Sequence, residues 1–328
     1  MRCVFATVLV LVGCANVAPP PGGPVDRDPP RLLATRPESL ARVPGWREPV
    51  LFRFDEPLSD RGFENGGRER VVVSPDVAPV RAGASGRQVR VELRGGWPAN
   101  TVFTVTLLPG IADLAGNVTR EAYVLTFSTG PEVPRGALSV QARMAEDDRP
   151  PARAWVRAFP GNGPSYLAAI DTAGRALLPH LPPGRYRVVA FVDVDGDRRP
   201  EPSEPQGEDT VTVGAGAVAR AVRLLPPDTT PPVLRVARLQ ADTLVLEFDD
   251  ALDPAAAPPR VSVRDSAGRS VPVAAVEPLT RPSRTLRVHL GAPATPPLEV
   301  QVEGATNLRG LRGGGTRRVP NPSTRRQR

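Results

Sequence analysis

The densest group of residues able to do chemistry in this 328-residue chain is Asp193-Val194-Asp195-Gly196-Asp197, followed by Glu201 and Glu204. Hard cations bind through several oxygens delivered by one short loop, and carboxylates at alternate positions form such a set. Counting Asp193 as position one, Asp195 is three, Asp197 five, Glu201 nine and Glu204 twelve, which is the ligand spacing of a twelve-residue calcium loop. Two features depart from that pattern. Position six is Arg198 where a glycine is expected, the glycine standing at position four, and no helical period flanks the loop. Arg198 and Arg199 also offset part of the negative charge. Two readings therefore stand side by side. One is a calcium site built from Asp193, Asp195, Asp197, Glu201 and Glu204. The other is a solvated loop whose aspartates cap turns and whose arginines pair with neighbouring acids. Calcium is the one cofactor the sequence suggests.

Other chemistries are sparsely supplied. The two histidines are His180, in the turn Pro179-His180-Leu181-Pro182, and His289, in an outward position between apolar neighbours. Neither stands near a serine or cysteine in a nucleophile turn, and two histidines cannot complete a three-histidine zinc site. The chain holds no lysine, which rules out a lysine-bearing phosphate loop. Two carboxylates ~5–9 Å apart could cleave glycosides, but nothing in the sequence singles out a pair. Catalysis is not expected. All 42 basic residues are arginine, and seven of them fall in the last twenty-four residues, which carry no acid. Through residue 304 the arginines balance the 35 acids. The basic isoelectric point thus belongs to the tail and is no nucleic-acid-binding face, which would need cations clustered on a folded domain.

One residue stands out for modification. Met1-Arg2 precedes an apolar run, Val4 to Val12, too short for a membrane span of ~20 residues but long enough for an export signal. Leu11-Val12-Gly13-Cys14 follows and resembles the lipobox of bacterial lipoproteins. The resemblance implies cleavage of residues 1–13 and lipidation of Cys14, with a fatty acid such as palmitate. An ordinary secretory signal with a chance cysteine is the alternative. Cys14 would be the only cysteine after cleavage, so an unlipidated version would expose a lone reactive thiol. Residues 14–27, with Pro19-Pro20-Pro21-Gly22-Gly23-Pro24, read as an extended tether.

The elements that position these residues are strands. Forty-one prolines and thirty glycines exclude a helical bundle and suit short strands between turns. Gln88 to Arg94 alternates strictly, with Val89, Val91 and Leu93 on one face. Thr101–Leu107, Leu244–Phe248, Leu286–Leu290 and Leu298–Glu303 are further strand candidates. Turn signals every eight to twelve residues indicate an all-β chain of tandem β-sandwiches.

An internal repeat refines that plan. Asp28-Pro29-Pro30-Arg31-Leu32 returns as Asp228-Thr229-Thr230-Pro231-Pro232-Val233-Leu234, and Leu51–Leu58 returns as Leu244–Leu252. The first copy carries Phe54-Asp55-Glu56-Pro57, Val73-Ser74-Pro75, Trp97-Pro98-Ala99-Asn100-Thr101, Asp113-Leu114-Ala115-Gly116-Asn117 and Phe127-Ser128-Thr129-Gly130. Over 28–130 it resembles the Ig-like domains of bacterial surface and S-layer proteins. The second copy, 228–304, is a degenerate version. It offers only Asn307-Leu308-Arg309-Gly310 for the Asp-Leu-Ala-Gly-Asn stretch, and its closing strand is expected to be missing or frayed. Asp113, Gly116 and Asn117 suit a turn capped by side chains, and Asp55 and Glu56 end a strand before Pro57, with a metal role for these acids as the alternative. Between the copies, 131–227 contains Asp171-Thr172-Ala173-Gly174, Leu181-Pro182-Pro183-Gly184 and an apolar strand, Arg185 to Val192. It resembles the small prealbumin-like sandwich of carboxypeptidase regulatory-type domains, which usually do no chemistry themselves. The glycines and arginines of 305–328 read as a disordered tail.

The expected function is that of a lipid-anchored exported protein on the outer membrane or cell surface, with a structural or protein-interaction role. The expected partners are the membrane, through the anchor, and an unspecified envelope protein or polysaccharide. A calcium-dependent adhesin or glycan-binding surface protein is the alternative.

Overall fold

The structure is a computed structural model that describes residues 26–321. The export signal over 1–13, Cys14, the tether as far as residue 25 and the last seven residues lie outside the described residues. Among those described, every regular element is a strand, so the chain is all-β.

The first sandwich contains β1 (Leu32–Arg36), β2 (Val50–Phe54), β3 (Val71–Ser74), β4 (Val80–Ser85), β5 (Gln88–Leu93), β6 (Val102–Leu107) and β7 (Tyr123–Ser128). They form two sheets, ordered β1-β2-β5-β4 and β3-β6-β7. The alternation of β5 does what its pattern demands: Val89, Val91 and Leu93 are buried while Gln88 and Arg90 face out. Phe52, Phe54, Phe103 and Phe127 fill the core, and Trp97 sits edge-on to Phe103 and Phe127, with centroids 5.0 and 5.1 Å away. Edge-to-face packing of this kind matches the electron-rich ring face to the positive ring edge.

The second sandwich contains β8 (Gly136–Met144), β9 (Ala154–Pro160), β10 (Tyr166–Ala169), β11 (Arg175–Leu181), β12 (Gly184–Val192), β13 (Gln206–Val213) and β14 (Ala217–Leu224). Its sheets are β10-β9-β12-β13 and β11-β8-β14, and β8 and β14 run parallel. The turn before β11 is capped by Asp171, whose Oδ1 accepts from Ala173 N and Arg175 N, while Gly174 takes the left-handed conformation at φ 79°.

The third contains β15 (Leu234–Gln240), β16 (Thr243–Leu252), β17 (Arg260–Asp265), β18 (Ser270–Val271), β19 (Val273–Val276), β20 (Ser283–Leu290), β21 (Leu298–Thr306) and β22 (Arg312–Val319). Its sheets are β15-β16-β20-β19 and β18-β17-β21-β22. The first of these repeats the order of β1-β2-β5-β4. Even the joint between the opening strands is copied. Arg31 N donates to Asp55 Oδ1 at 2.8 Å, and Val233 N donates to Asp249 Oδ1 at 2.7 Å.

One expectation is corrected here. Residues 305–321 are no disordered tail, and the second copy of the repeat does not lack its closing strand. β22 pairs with β21 from Leu298–Val319 through Thr306–Arg312, and Val319 is buried in the core. The glycines that suggested disorder are required by close approach. A Cβ on Gly314 would lie 2.0 Å from Val302 O, and one on Gly313 would lie 2.2 Å from Pro232 O. β22 is wedged between β21 and the segment leading into β15, with Gly314 N donating to Pro232 O at 2.8 Å.

The sandwiches meet at two seams, the first buried and the second exposed. Between the first two, Val72 packs with Trp155, Leu167, Val189 and Phe191 in a cluster separate from either core. Leu167 N donates to Ser74 Oγ at 3.1 Å, and Asp76 N donates to Ser165 O at 2.9 Å. Between the second and third, the Arg309 guanidinium donates to the carbonyls of Pro226, at 2.7 and 3.0 Å, and Leu225, at 3.0 Å.

Candidate functional site

The acidic loop joins β12 to β13. Its backbone donors are taken up by its own acids: Asp193 Oδ1 accepts from Gly196 N, Asp195 Oδ1 from Asp197 N and Asp197 Oδ1 from Arg199 N, at 2.9, 3.0 and 2.6 Å. The structure brings three of the five expected acids together. One oxygen each from Asp193, Asp195 and Asp197 lies within 4.8 Å of the others. Glu201 and Glu204 do not join that group. Glu204 is buried and staples the loop from inside, accepting from Val194 N at 2.7 Å and Glu201 N at 3.3 Å. Glu201 accepts from Ser203 Oγ at 3.3 Å.

Arg198, which broke the expected glycine pattern, has its own reason to be there. It sits at φ 61°, the left-handed region a glycine would favour. Its guanidinium lies over the Trp155 ring, 4.3 Å from the centroid, donates to Val71 O at 2.8 Å and caps Arg68 O. Burial, followed by the neighbouring Arg68 charge, draws its pKa down to about 10. Beside it, Arg157 is 7% exposed and pairs with Asp76 at 2.9 Å, while its Nη2 donates to Arg198 O at 2.7 Å. Nothing in the sequence tied Arg157 or Arg198 to the first sandwich. The only signal was an arginine inside the strand Ala154–Phe159, where an unpaired charge would not be tolerated.

A second set of acids gathers at the end of the first sandwich, where oxygens of Asp26, Glu56 and Asp113 converge within 4.8 Å. Asp113 is 2% exposed. Burial opposes its ionisation, but hydrogen bonds from the Asn117 side chain and backbone and from Gly116 outweigh that and hold its pKa below the ordinary range. These bonds, 2.5 Å from Gly116 N and 2.8 Å from both Asn117 nitrogens, are the side-chain cap expected of this turn. Burial, then the nearby Asp113, Asp26, Asp55 and Asp28, pushes Glu56 up. In the third sandwich the same place holds Asn307, whose Oδ1 accepts from Arg309 N and Leu311 N, as Asp113 Oδ1 does from its own turn. Its Nδ2 donates to Asp228 Oδ2 at 2.9 Å, Asp250 Oδ2 at 2.7 Å and Thr230 O at 3.2 Å. An amide thus stands between two carboxylates where the first copy has a third acid.

The histidines are engaged in ordinary contacts. His180 Nδ1 meets Pro134 O at 2.8 Å. His289 lies between Glu277 Oε1, 2.8 Å from Nε2, and Thr243 Oγ1, 3.1 Å from Nδ1.

Residues 26–129 match the bacterial Ig-like domain family, in agreement with the fold of the first sandwich. The comparison with curated proteins gives no match. Solved structures similar to the chain include the Bacillus anthracis TIE protein, at 10% identity and a TM-score of 0.22, covering 88% of this chain and 55% of that one. Native alpha-2-macroglobulin from Escherichia coli, spanning three of its domains, gives 11% and 0.23, with 88% and 96% covered. The S-layer protein rSbsC gives 10% and 0.22, with 89% and 54% covered. The chain therefore spans about half the length of the first and third of these structures. At such identities the likeness does not extend to function.

Proposed function

We propose that the chain is an exported bacterial envelope protein, held to a membrane by a lipidated Cys14 and serving a non-catalytic structural or protein-interaction role. The observation that carries this reading is where the chemically capable side chains go. Asp113, Asp171, Asp193 and Glu204 bind backbone amides of their own turns, and both histidines are held by neighbouring strands or loops. Side chains used this way build the turns between strands within each sandwich. The bacterial Ig-like match over 26–129 supports the envelope setting, and the four-on-three sheets of the second sandwich support its prealbumin-like reading. The test is anchoring. Wild-type protein grown with radiolabelled palmitate should carry the label and sediment with membranes, and Cys14→Ser should abolish both. Label-free wild type, or a variant that stays with membranes, would refute the anchor.

A calcium-dependent adhesive role is the second reading, favoured by the convergence of Asp193, Asp195 and Asp197. An ion bound only by the folded chain stabilises it by ~2.7 kcal/mol at a hundredfold excess over Kd. Several millimolar calcium should raise the melting temperature of the full chain, Asp195→Ala should remove the rise, and magnesium should do less. An equal rise in the variant would leave the loop as turn chemistry.

A further inference from the structure

The seam between the first two sandwiches opens into a cleft of about 480 Å³, walled by Asn65 to Val80 on one side and by Arg157, Leu167 and Asp197 to Arg199 on the other. That volume is in the range of small-molecule sites, ~300–1,000 Å³. Its charges are unevenly satisfied. Arg157 and Asp76 neutralise one another at 2.9 Å. Arg68, Arg198 and Arg199 have no carboxylate within ion-pair distance among the described residues. Arg68 is exposed and donates to Asp197 O at 2.7 Å, while the exposed Arg199 guanidinium makes no hydrogen bond. Most arginines elsewhere among the described residues also lack an ion-pair partner, so what sets these three apart is their gathering along one concave seam.

The surrounding acids define what the cleft leaves over. Asp197 itself lines the cleft beside Arg198 and Arg199, and the Oδ1 atoms of Asp193, Asp195 and Asp197 accept from amides of their own loop. Arg198 feels both signs: Arg68 opposes its charge, and Asp193, Asp76 and Glu69 support it. Arg68 and Arg199 are thus exposed on the same cleft as a guanidinium that is already partly desolvated. The same lining includes an aliphatic stretch, Val77, Ala78, Pro79 and Val80. Planar guanidinium forks match the two oxygens of a carboxylate or sulfate, and an aliphatic wall suits the uncharged body of a small ligand.

We propose that this cleft binds a small ligand through an oxyanion, its carboxylate or sulfate group seated on Arg68 and Arg199 with Arg198 behind them. The site goes beyond membrane tethering and holds whether or not Cys14 is lipidated. The experiment uses the full chain at constant ionic strength near 0.15 M, which removes general screening as a cause. Four probes are titrated separately: inorganic sulfate, acetate, a galacturonate disaccharide and the neutral galactose disaccharide. Tryptophan fluorescence follows Trp155 beneath Arg198, and calorimetry reads the binding directly. At least one anionic probe should bind saturably and the neutral sugar should not. A stronger response to the acidic sugar than to sulfate or acetate assigns the oxyanion to a saccharide, and the reverse assigns it to a free anion. Arg68→Gln/Arg199→Gln should weaken binding tenfold or more with unchanged melting temperature, while Arg264→Gln, an exposed arginine of the third sandwich, should leave it intact. No saturable binding by any probe overturns the proposal. So does equal binding of the neutral sugar, or undiminished binding by the double variant.

Discussion

In the third sandwich the Asn307 amide sits between two carboxylates, 2.9 Å from Asp228 and 2.7 Å from Asp250. Burial pushes Asp250 up, whereas hydrogen bonds from the Thr230 backbone and hydroxyl hold Asp228 down. The amide supplies the positive end of a dipole to both and lets two acids share one place. Asn307→Asp would replace that donor with a third carboxylate of nearly the same shape. Its expected cost is about 1–3 kcal/mol at pH 7, from a half-buried network left with repelling acceptors. The sign with pH follows from linkage. Crowding raises the carboxyl pKa values of the folded variant above those of its unfolded chain, which titrates near ~4. Stability is then fully present below the unfolded values and is lost as pH rises through the raised folded ones. Melting of both proteins at pH 7 and pH 4 should show the deficit of the variant shrinking in acid. A deficit that is the same at both would assign the loss to shape and not to charge.

At the scale of elements, β22 separates what the sequence showed from what it hid. Strands such as β5 and β20 announced themselves because a period-two pattern needs only the chain's own side chains, and Val89, Val91, Leu286 and Val288 are all buried as that pattern requires. The loop acids were equally legible, since Asp113 and Asp171 cap the turns in which they stand. β22, by contrast, carries one apolar residue in the core, Val319, and three successive glycines. Its fitness depends on backbone pressed against it from both sides, information held in Val302 and Pro232 and not in the strand itself. A glycine within a strand can mark such close approach, and this was the available signal. The seam arginines were hidden for the same reason, because the carbonyls they cap lie in a different sandwich. Gly314→Val tests the point. Its Cβ would meet Val302 O at 2.0 Å, and Gly314 stands at φ 153°. The strand must shift or detach, with an expected loss on the order of 3 kcal/mol or more. Urea denaturation should show that loss, and limited trypsin digestion should cut at Arg317 and Arg318 in the variant before it cuts the wild type.

At the scale of the whole molecule, the question is whether the sandwiches unfold as independent units. Proline-rich links at 131–135 and 225–232 suggest independence, but the first seam argues against it. Val72, Trp155, Leu167, Val189 and Phe191 are all buried there, and Arg157 crosses the seam to Asp76 while 7% exposed. Removing Arg157 leaves Asp76 without its ion pair, strips the bonds to Ser165 Oγ and Arg198 O, and opens a space beneath the acidic loop. Because the Asp76 side chain is 40% exposed, water can solvate it, and the loss should fall below that of a fully buried pair, at about 1–3 kcal/mol. The loss belongs to the contact between sandwiches and to neither core. Arg157→Ala should therefore split one calorimetric transition of the first two sandwiches into two, with the higher-melting one little changed. It should also speed tryptic cleavage after Arg135, which is exposed in the link between them. A single transition moved down as a unit, with no faster cleavage at Arg135, would mean that Arg157 stabilises its own strand and that the apolar cluster alone holds the seam.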